Sequence, residues 1–261
     1  MKKIKIVFLL MFTLFSEHLL AHNEGRVIDY KSGDVTCKGY VAFDAHKNKM
    51  PVVLIIPEWW GCNEYVQMRA NMLASLGYFA FAVDMYGNGK IAENPEEAQQ
   101  QSSKFYNNPQ LVQERIQAAI NKVKEFPMAD VSNMAAIGYC FGGSMVLNAA
   151  KLDMPFKAVV SFHGGLKGFP AKNDIKSKIL VCHGASDSFV PAEEVKEFKE
   201  EMAKSHADFV FIDYPDATHS FTNPAATELG KKFDMPVTYN AAADKKSWED
   251  MKEFLEKNLL K

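Results

Sequence analysis

The sequence predicts an α/β fold: a mainly parallel central sheet with helices on both faces and an antiparallel pair of strands at its start. Three observations predict it. Short runs of β-forming residues alternate with amphipathic helical stretches along most of the chain. Residues 51–56 are almost continuously apolar, the pattern of a strand buried on both faces. Residues 134–150 read as an apolar strand, a sharp glycine-flanked turn and a helix.

In chain order, residues 26–30 and 35–43 read as strands around the turn Lys31-Ser32-Gly33-Asp34. After the strand at 51–56, Tyr65, Met68, Met72 and Leu76 share one helical face, and Gly77 ends that helix. Residues 79–83 form the next strand. Val112, Ile116, Ala119, Ile120 and Val123 recur at helical spacing and mark a second amphipathic helix. The strand at 134–137 leads into the helix at 144–150, and a further strand covers 156–161. Strands at 178–182 and 208–212 bracket a helix that opens after Pro191 and carries Val195, Phe198 and Met202 on one side. Trp248, Met251, Leu255 and Leu259 mark the terminal helix.

A chain of 261 residues with 48% hydrophobic content can bury a large core, so residues 22–261 are expected to form one domain. The formal charge of −2 provides no electrostatic footprint for nucleic acid. No stretch is long and apolar enough for a stable membrane anchor. Residues 1–21 are set apart. Lys2, Lys3 and Lys5 precede an apolar run from Ile6 to Phe15, and Ala21 is a small residue suited to cleavage. This reads as a secretory signal peptide and implies a periplasmic or secreted protein. In such a compartment Cys37, Cys62, Cys140 and Cys182 meet oxidising conditions. A free Cys140 leaves at most one bridge; no structural disulfide is expected, with Cys37–Cys62 left open.

Cys140 stands at the apex of Gly138-Tyr139-Cys140-Phe141-Gly142, between strand and helix. This is the G-x-S-x-G elbow of α/β-hydrolases with sulfur in place of oxygen. The helix N-terminus beneath the thiol favours the thiolate. Asp187 follows the strand at 178–182 in His183-Gly184-Ala185-Ser186-Asp187, and His219 follows the strand at 208–212. Nucleophile, acid, histidine is the α/β-hydrolase order, and each lies past a strand C-terminus, where open α/β sheets bind ligands. The loop after residues 51–56 holds Pro57-Glu58-Trp59-Trp60-Gly61. The backbone amides of Phe141 and Trp59 are the expected oxyanion donors. Glu58 brings a carboxylate close to the thiol, a way to control its ionisation.

The motifs P-E-W-W-G, D-M-Y-G, G-Y-C-F-G-G, H-G-A-S-D and H-S-F-T-N-P, in that order, resemble those of the dienelactone hydrolase family. The resemblance runs from about Arg26 to the C-terminal helix. It implies hydrolysis of an ester or lactone by Cys140, Asp187 and His219, with Glu58 accepting the thiol proton when substrate binds. It also places Trp60, Tyr86, Asn88, Ser220 and Asn223 beside a small-molecule substrate. The dienelactone-specific enzyme holds its substrate carboxylate with two arginines; Asn88 and Asn223 stand at the matching positions, so that clamp is absent. Lys90 reads as a solvated loop lysine.

No histidine pair has metal-ligand spacing, and G-Y-C-F-G-G lacks the Lys and Ser/Thr of a phosphate loop, so neither metal nor cofactor is expected. His163 and His183 lie at strand ends beside the site; His22 and His46 lie in exposed-looking segments, and His206 ends a helix. Two other readings stand beside a lactonase: a general carboxylesterase or thioesterase, and a non-catalytic binding protein on a hydrolase fold. The intact trio Cys140, Asp187 and His219 argues against the second.

Overall fold

The computed structural model describes residues 23–171 and 174–260. The expected signal peptide and His22 lie outside the described residues. The sheet has eight strands: β1 (Asn23–Ser32), β2 (Val35–Asp44), β3 (Met50–Ile56), β4 (Phe79–Ala82), β5 (Ala129–Tyr139), β6 (Ala158–Phe162), β7 (Lys178–Gly184) and β8 (Phe209–Tyr214). Their order across the sheet is β1-β2-β4-β3-β5-β6-β7-β8. β1 and β2 form the expected hairpin and β2 pairs antiparallel with β4; every pairing from β4 to β8 is parallel. This is an α/β-hydrolase architecture.

Among the described residues seven helices accompany the sheet: α1 (Glu64–Ser75), α2 (Pro95–Tyr106), α3 (Pro109–Val123), α4 (Phe141–Lys151), α5 (Ala192–Lys204), α6 (Ala226–Phe233) and α7 (Ala241–Leu259). Alternation along β3 sorts the core into two layers. Val52, Leu54 and Ile56 point to one side, with Val112, Ile116 and Ile120 of α3, Met145 of α4 and Phe198 of α5. Val53 and Ile55 point to the other, with Leu73 of α1 and Trp248, Met251 and Leu255 of α7. Because both faces are covered, the strand reads as an unbroken apolar run.

Two helices escape the apolar periodicity. α2 is mostly polar and buries only Ala98, Ser102 and Phe105; α6 is short and buries Ala226 and Gly230. α2 nevertheless carries a start signal. Asn94 caps it, its side chain accepting from Glu97 N at 2.9 Å, and Pro95 follows. The face expected for α1 is also corrected. Met68 and Leu76 are exposed, whereas Val66, Ala70, Leu73 and Ala74 are buried. Smaller side chains let α1 lie close against the sheet, and the longer residues spread along its flank.

Candidate active site

The chain runs from β3 outward to β4 and then crosses to the other side of β3 to form β5. That reversal opens a crevice at the strand C-termini, the usual ligand position in open α/β sheets. The loop after β3 and the turn after β5 meet there. They carry Glu58–Trp60 and Cys140 respectively.

Cys140 precedes the first residue of α4 at φ 53°, ψ −117°. A non-glycine residue at such angles stores roughly 1–3 kcal/mol of strain, tolerated only where the surroundings over-determine it. Two glycines allow the turn. A Cβ on Gly138 would stand 2.1 Å from the Gly142 carbonyl oxygen, and one on Gly142 would stand 2.1 Å from that of Ile56. Phe141 is the first residue of α4, so its amide has no acceptor within the helix and stands at the positive end of the helix dipole.

Asp187 lies just past β7 and His219 just past β8. Asp187 Oδ2 is 2.8 Å from His219 Nδ1, and its other oxygen accepts from Phe189 N at 2.9 Å. A carboxylate only accepts, so Nδ1 carries the proton and Nε2 is left for the thiol. Cys140 and His219 line the same cavity, close enough for the sulfur to act on the imidazole. Burial alone disfavours a charged His219. The Cys140 sulfur and the Asp187 carboxylate outweigh it and hold this imidazole well above the ordinary histidine range. The structure therefore brings Cys140, His219 and Asp187 together as the chain order suggested.

Glu58 is only 2% exposed, and its Oε2 accepts from Asn223 Nδ2 at 2.6 Å. Burial pushes its carboxyl above the usual carboxylate range, and the Asn223 bond draws it partway back. Asn223 thus serves as the anchor of Glu58 as well as part of the cavity wall. Trp59 has its carbonyl held by Tyr86 Oη at 2.8 Å. Tyr86 packs on Phe141 at 5.8 Å between ring centroids and stands behind the wall, supporting the loop rather than facing substrate. Trp60 stacks on Phe233 of α6 at 5.9 Å and lines the cavity with Ser220.

Asn88 is corrected: it is exposed and away from the cavity. Asp84 accepts from the amides of Gly87 and Gly89 at 2.8 and 2.9 Å, and the Asn88 amide donates to Thr36 O at 2.6 Å. These bonds turn residue 88 outward. Lys90 pairs with Glu97 at 2.9 Å, as a solvated loop lysine does.

The cavity holds about 240 Å³. Besides Cys140 and His219, its wall is built from Trp59, Trp60, Tyr106, Phe141, Phe189, Val190, Leu229, Met235 and Val237, with Ser144, Ser220 and Asn223 as polar points. It contains no lysine or arginine. Tyr106, Phe189, Leu229, Met235 and Val237 had not been expected there. Tyr106 arrives from α2, Leu229 from α6, Met235 and Val237 from the loop after α6, and Phe189 from the loop between β7 and α5; only Phe189, two residues after Asp187, carried a local signal.

A model of the dienelactone hydrolase family matches residues 37–259. The chain is 33% identical to a solved dienelactone hydrolase-like promiscuous phosphotriesterase from metagenomic libraries. That match has a TM-score of 0.84 and covers 90% of this chain and 98% of the other. A structure named m3DLH is 31% identical, with a TM-score of 0.85 over 91% of this chain and 99% of that one. A Yersinia pestis protein named "Putative carboxymethylenebutenolidase" is 26% identical over 221 residues, 80% of this chain and 78% of the relative.

Proposed function

This chain belongs to the dienelactone hydrolase family and is a hydrolase of the ester or lactone type, and from that premise we propose that it cleaves uncharged substrates through a Cys140–His219–Asp187 triad and a thioester acyl-enzyme. The observation that carries this reading is the 2.8 Å bond orienting His219 toward a sulfur on a strained elbow. In the first half-reaction, Glu58 accepts the Cys140 thiol proton as substrate binds, so that thiolate forms with substrate in place, and the sulfur attacks the carbonyl carbon. The amides of Phe141 and Trp59 receive the oxyanion. The carbon–oxygen bond then breaks, and the charged His219 gives its Nε2 proton to the departing alkoxide, which stays tethered when the substrate is a lactone. In the second, His219 takes a proton from water, the hydroxide adds to the thioester, and the carbon–sulfur bond breaks to free Cys140. Asp187 keeps the imidazole in one tautomer throughout. The freed thiolate takes its proton back from Glu58, which restores the resting pair.

The largely apolar, aromatic wall, which holds no lysine or arginine, favours neutral substrates. A neutral phosphotriester meets the same description, and the similarity to a promiscuous phosphotriesterase puts that class on the assay panel. Residues 1–21 act as a cleaved signal peptide in this reading, and the N-terminal sequence of the exported protein tests it.

The deciding experiment is hydrolysis of neutral esters, thioesters, lactones and an aryl phosphotriester by the purified protein and by Cys140→Ala. Turnover of at least one class, lost in a Cys140→Ala variant that keeps the parental Tm, is the expected result. Hydrolysis at the parental rate by Cys140→Ala rejects the triad. The rank order of the panel separates a lactonase from a general esterase or thioesterase.

A further inference from the structure

We propose that His163 is a positioning residue: it fixes the backbone of the nucleophile elbow and ties it to the loop carrying His219. His163 follows β6, the neighbour of β5 in the sheet, has φ 40°, and is fully buried. Its Nδ1 stands 3.1 Å from the Cys140 amide nitrogen, which also donates to Phe162 O at 3.0 Å. An amide N–H only donates, so Nδ1 is the unprotonated nitrogen and Nε2 carries the proton. Nε2 therefore donates to Thr222 Oγ1, 2.7 Å away.

Thr222 lies three residues beyond His219. Its hydroxyl is 2.6 Å from Tyr65 Oη of α1, and its carbonyl accepts from Arg69 Nη2 at 2.7 Å. The rings of His219 and Phe221 pack edge-on against His163 at 5.4 and 5.3 Å, leaving the imidazole little freedom to turn. One ring thus joins the Cys140 backbone, the His219 loop and α1.

The geometry gives this bond a particular effect. A single acceptor would leave the peptide before Cys140 free to rock about one hydrogen bond. Two acceptors on one N–H set the plane of that peptide, and with it the direction of the Cys140 Cα–Cβ bond. The strained φ of Cys140 makes that restraint necessary, since the relaxed backbone would swing the sulfur away from His219. Burial holds His163 well below the ordinary histidine value. A neutral ring preserves the acceptor; a charged one would set a second donor against the Cys140 amide.

The test compares three variants by steady-state kinetics on a neutral p-nitrophenyl ester, with Tm measured alongside. His163→Phe fills the space and removes both hydrogen bonds. His163→Asn suits a positive φ and offers Oδ1 where Nδ1 stood. Thr222→Val removes the partner of Nε2 and leaves the Cys140 amide untouched. His163→Phe should lower kcat roughly three- to tenfold, the range one lost hydrogen bond covers, with KM within about twofold. His163→Asn should recover at least half of the lost kcat, as packing alone would not predict. Thr222→Val should lower kcat with KM retained, and it decides the question if His163→Phe does not fold. The proposal is overturned by a kcat less than about threefold below parent in His163→Phe, by His163→Asn no better than His163→Phe, or by parental kcat in Thr222→Val. The inference rests on Cys140 as nucleophile, and Cys140→Ala separates the two: an inactive Cys140→Ala with an unimpaired His163→Phe rejects the positioning role alone.

Discussion

Replacing Asn223 with Ala removes the bond that keeps a carboxylate inside the protein, along with a pH-independent bond in which its Oδ1 accepts from the Ala225 amide at 2.9 Å, so the pH dependence of the deficit reports on the first. Asn223 Nδ2 donates to Glu58 Oε2 at 2.6 Å, and both residues are at most 3% exposed, so no solvent replaces the lost donor. At about pH 8 the bond lost is one to an ionised group, worth ~1.5–3 kcal/mol. At about pH 4 the carboxyl is protonated in folded and unfolded chains alike, and the loss falls to the ~0.5–1.5 kcal/mol of a neutral hydrogen bond. For a domain of this size each kcal/mol moves Tm by about 2–4 °C, so Asn223→Ala should melt about 3–12 °C low at pH 8 and about 1–6 °C low at pH 4. The sign follows from the direction of the shift. Glu58 already binds its proton more tightly folded than unfolded. Such a group contributes stability that is complete below the unfolded carboxylate pKa, about 4.3, and is lost as pH rises through the folded value. Removing Asn223 raises the folded value further and steepens that loss. Thermal unfolding of parent and variant across this range is the assay. A deficit that stays constant with pH, or an unchanged Tm at pH 8, would refute the claim that Asn223 holds an ionisable Glu58.

Four further outcomes are expected. Gly142→Ala places a Cβ 2.1 Å from the Ile56 carbonyl, so β3 and α4 must separate; soluble yield and activity should both collapse, and a folded, active variant contradicts the elbow packing. Asp187→Asn weakens the restraint on the His219 tautomer and should lower kcat by about a hundredfold or more with KM little changed; kcat within about tenfold of parent counts against the triad. If Glu58 gates the thiol, iodoacetamide should label Cys140 slowly in the free protein and faster with a substrate analogue bound, and labelling indifferent to ligand argues against gating. With no lysine or arginine on the cavity wall, two charge-assisted bonds of about 1.5–3 kcal/mol each are missing for a carboxylated lactone. Dienelactone should therefore be a poorer substrate than neutral esters, and a kcat/KM far above that of its uncharged analogue overturns this.

Much of the fold was legible because the strands of a doubly covered sheet announce themselves. The runs at β3 and β7 are apolar on both faces, and the buried faces of α3 and α7 follow the helical period residue by residue. α2 and α6 were not legible that way, because each rests on the rim and buries few side chains. Asn94-Pro95 marked α2 through capping chemistry alone. The meeting of Cys140, Asp187 and His219 was legible because each sits just past a strand. The pairing of Glu58 with Asn223 was not, since 165 residues separate them and only the closed fold makes them neighbours. The same limit hid Leu229, Met235 and Val237. Asn88 misled because its position in the motif says nothing of which way the Gly87–Gly89 turn faces.

The sulfur atoms give this protein a built-in reporter of its own opening. The four cysteines are all free; Cys37, Cys62 and Cys182 are buried, and Cys140 alone is partly open. Burial pushes the Cys62 and Cys182 thiols up to about 12, so they are chemically silent as well as enclosed. A chromogenic disulfide reagent added to the native protein should consume one equivalent of thiol and then pause. Further colour can develop only as molecules unfold, at a rate set by the opening reaction once reagent is in excess. Blocking Cys140 first leaves three silent thiols to time unfolding in a crude extract, with no dye, no heating and no substrate.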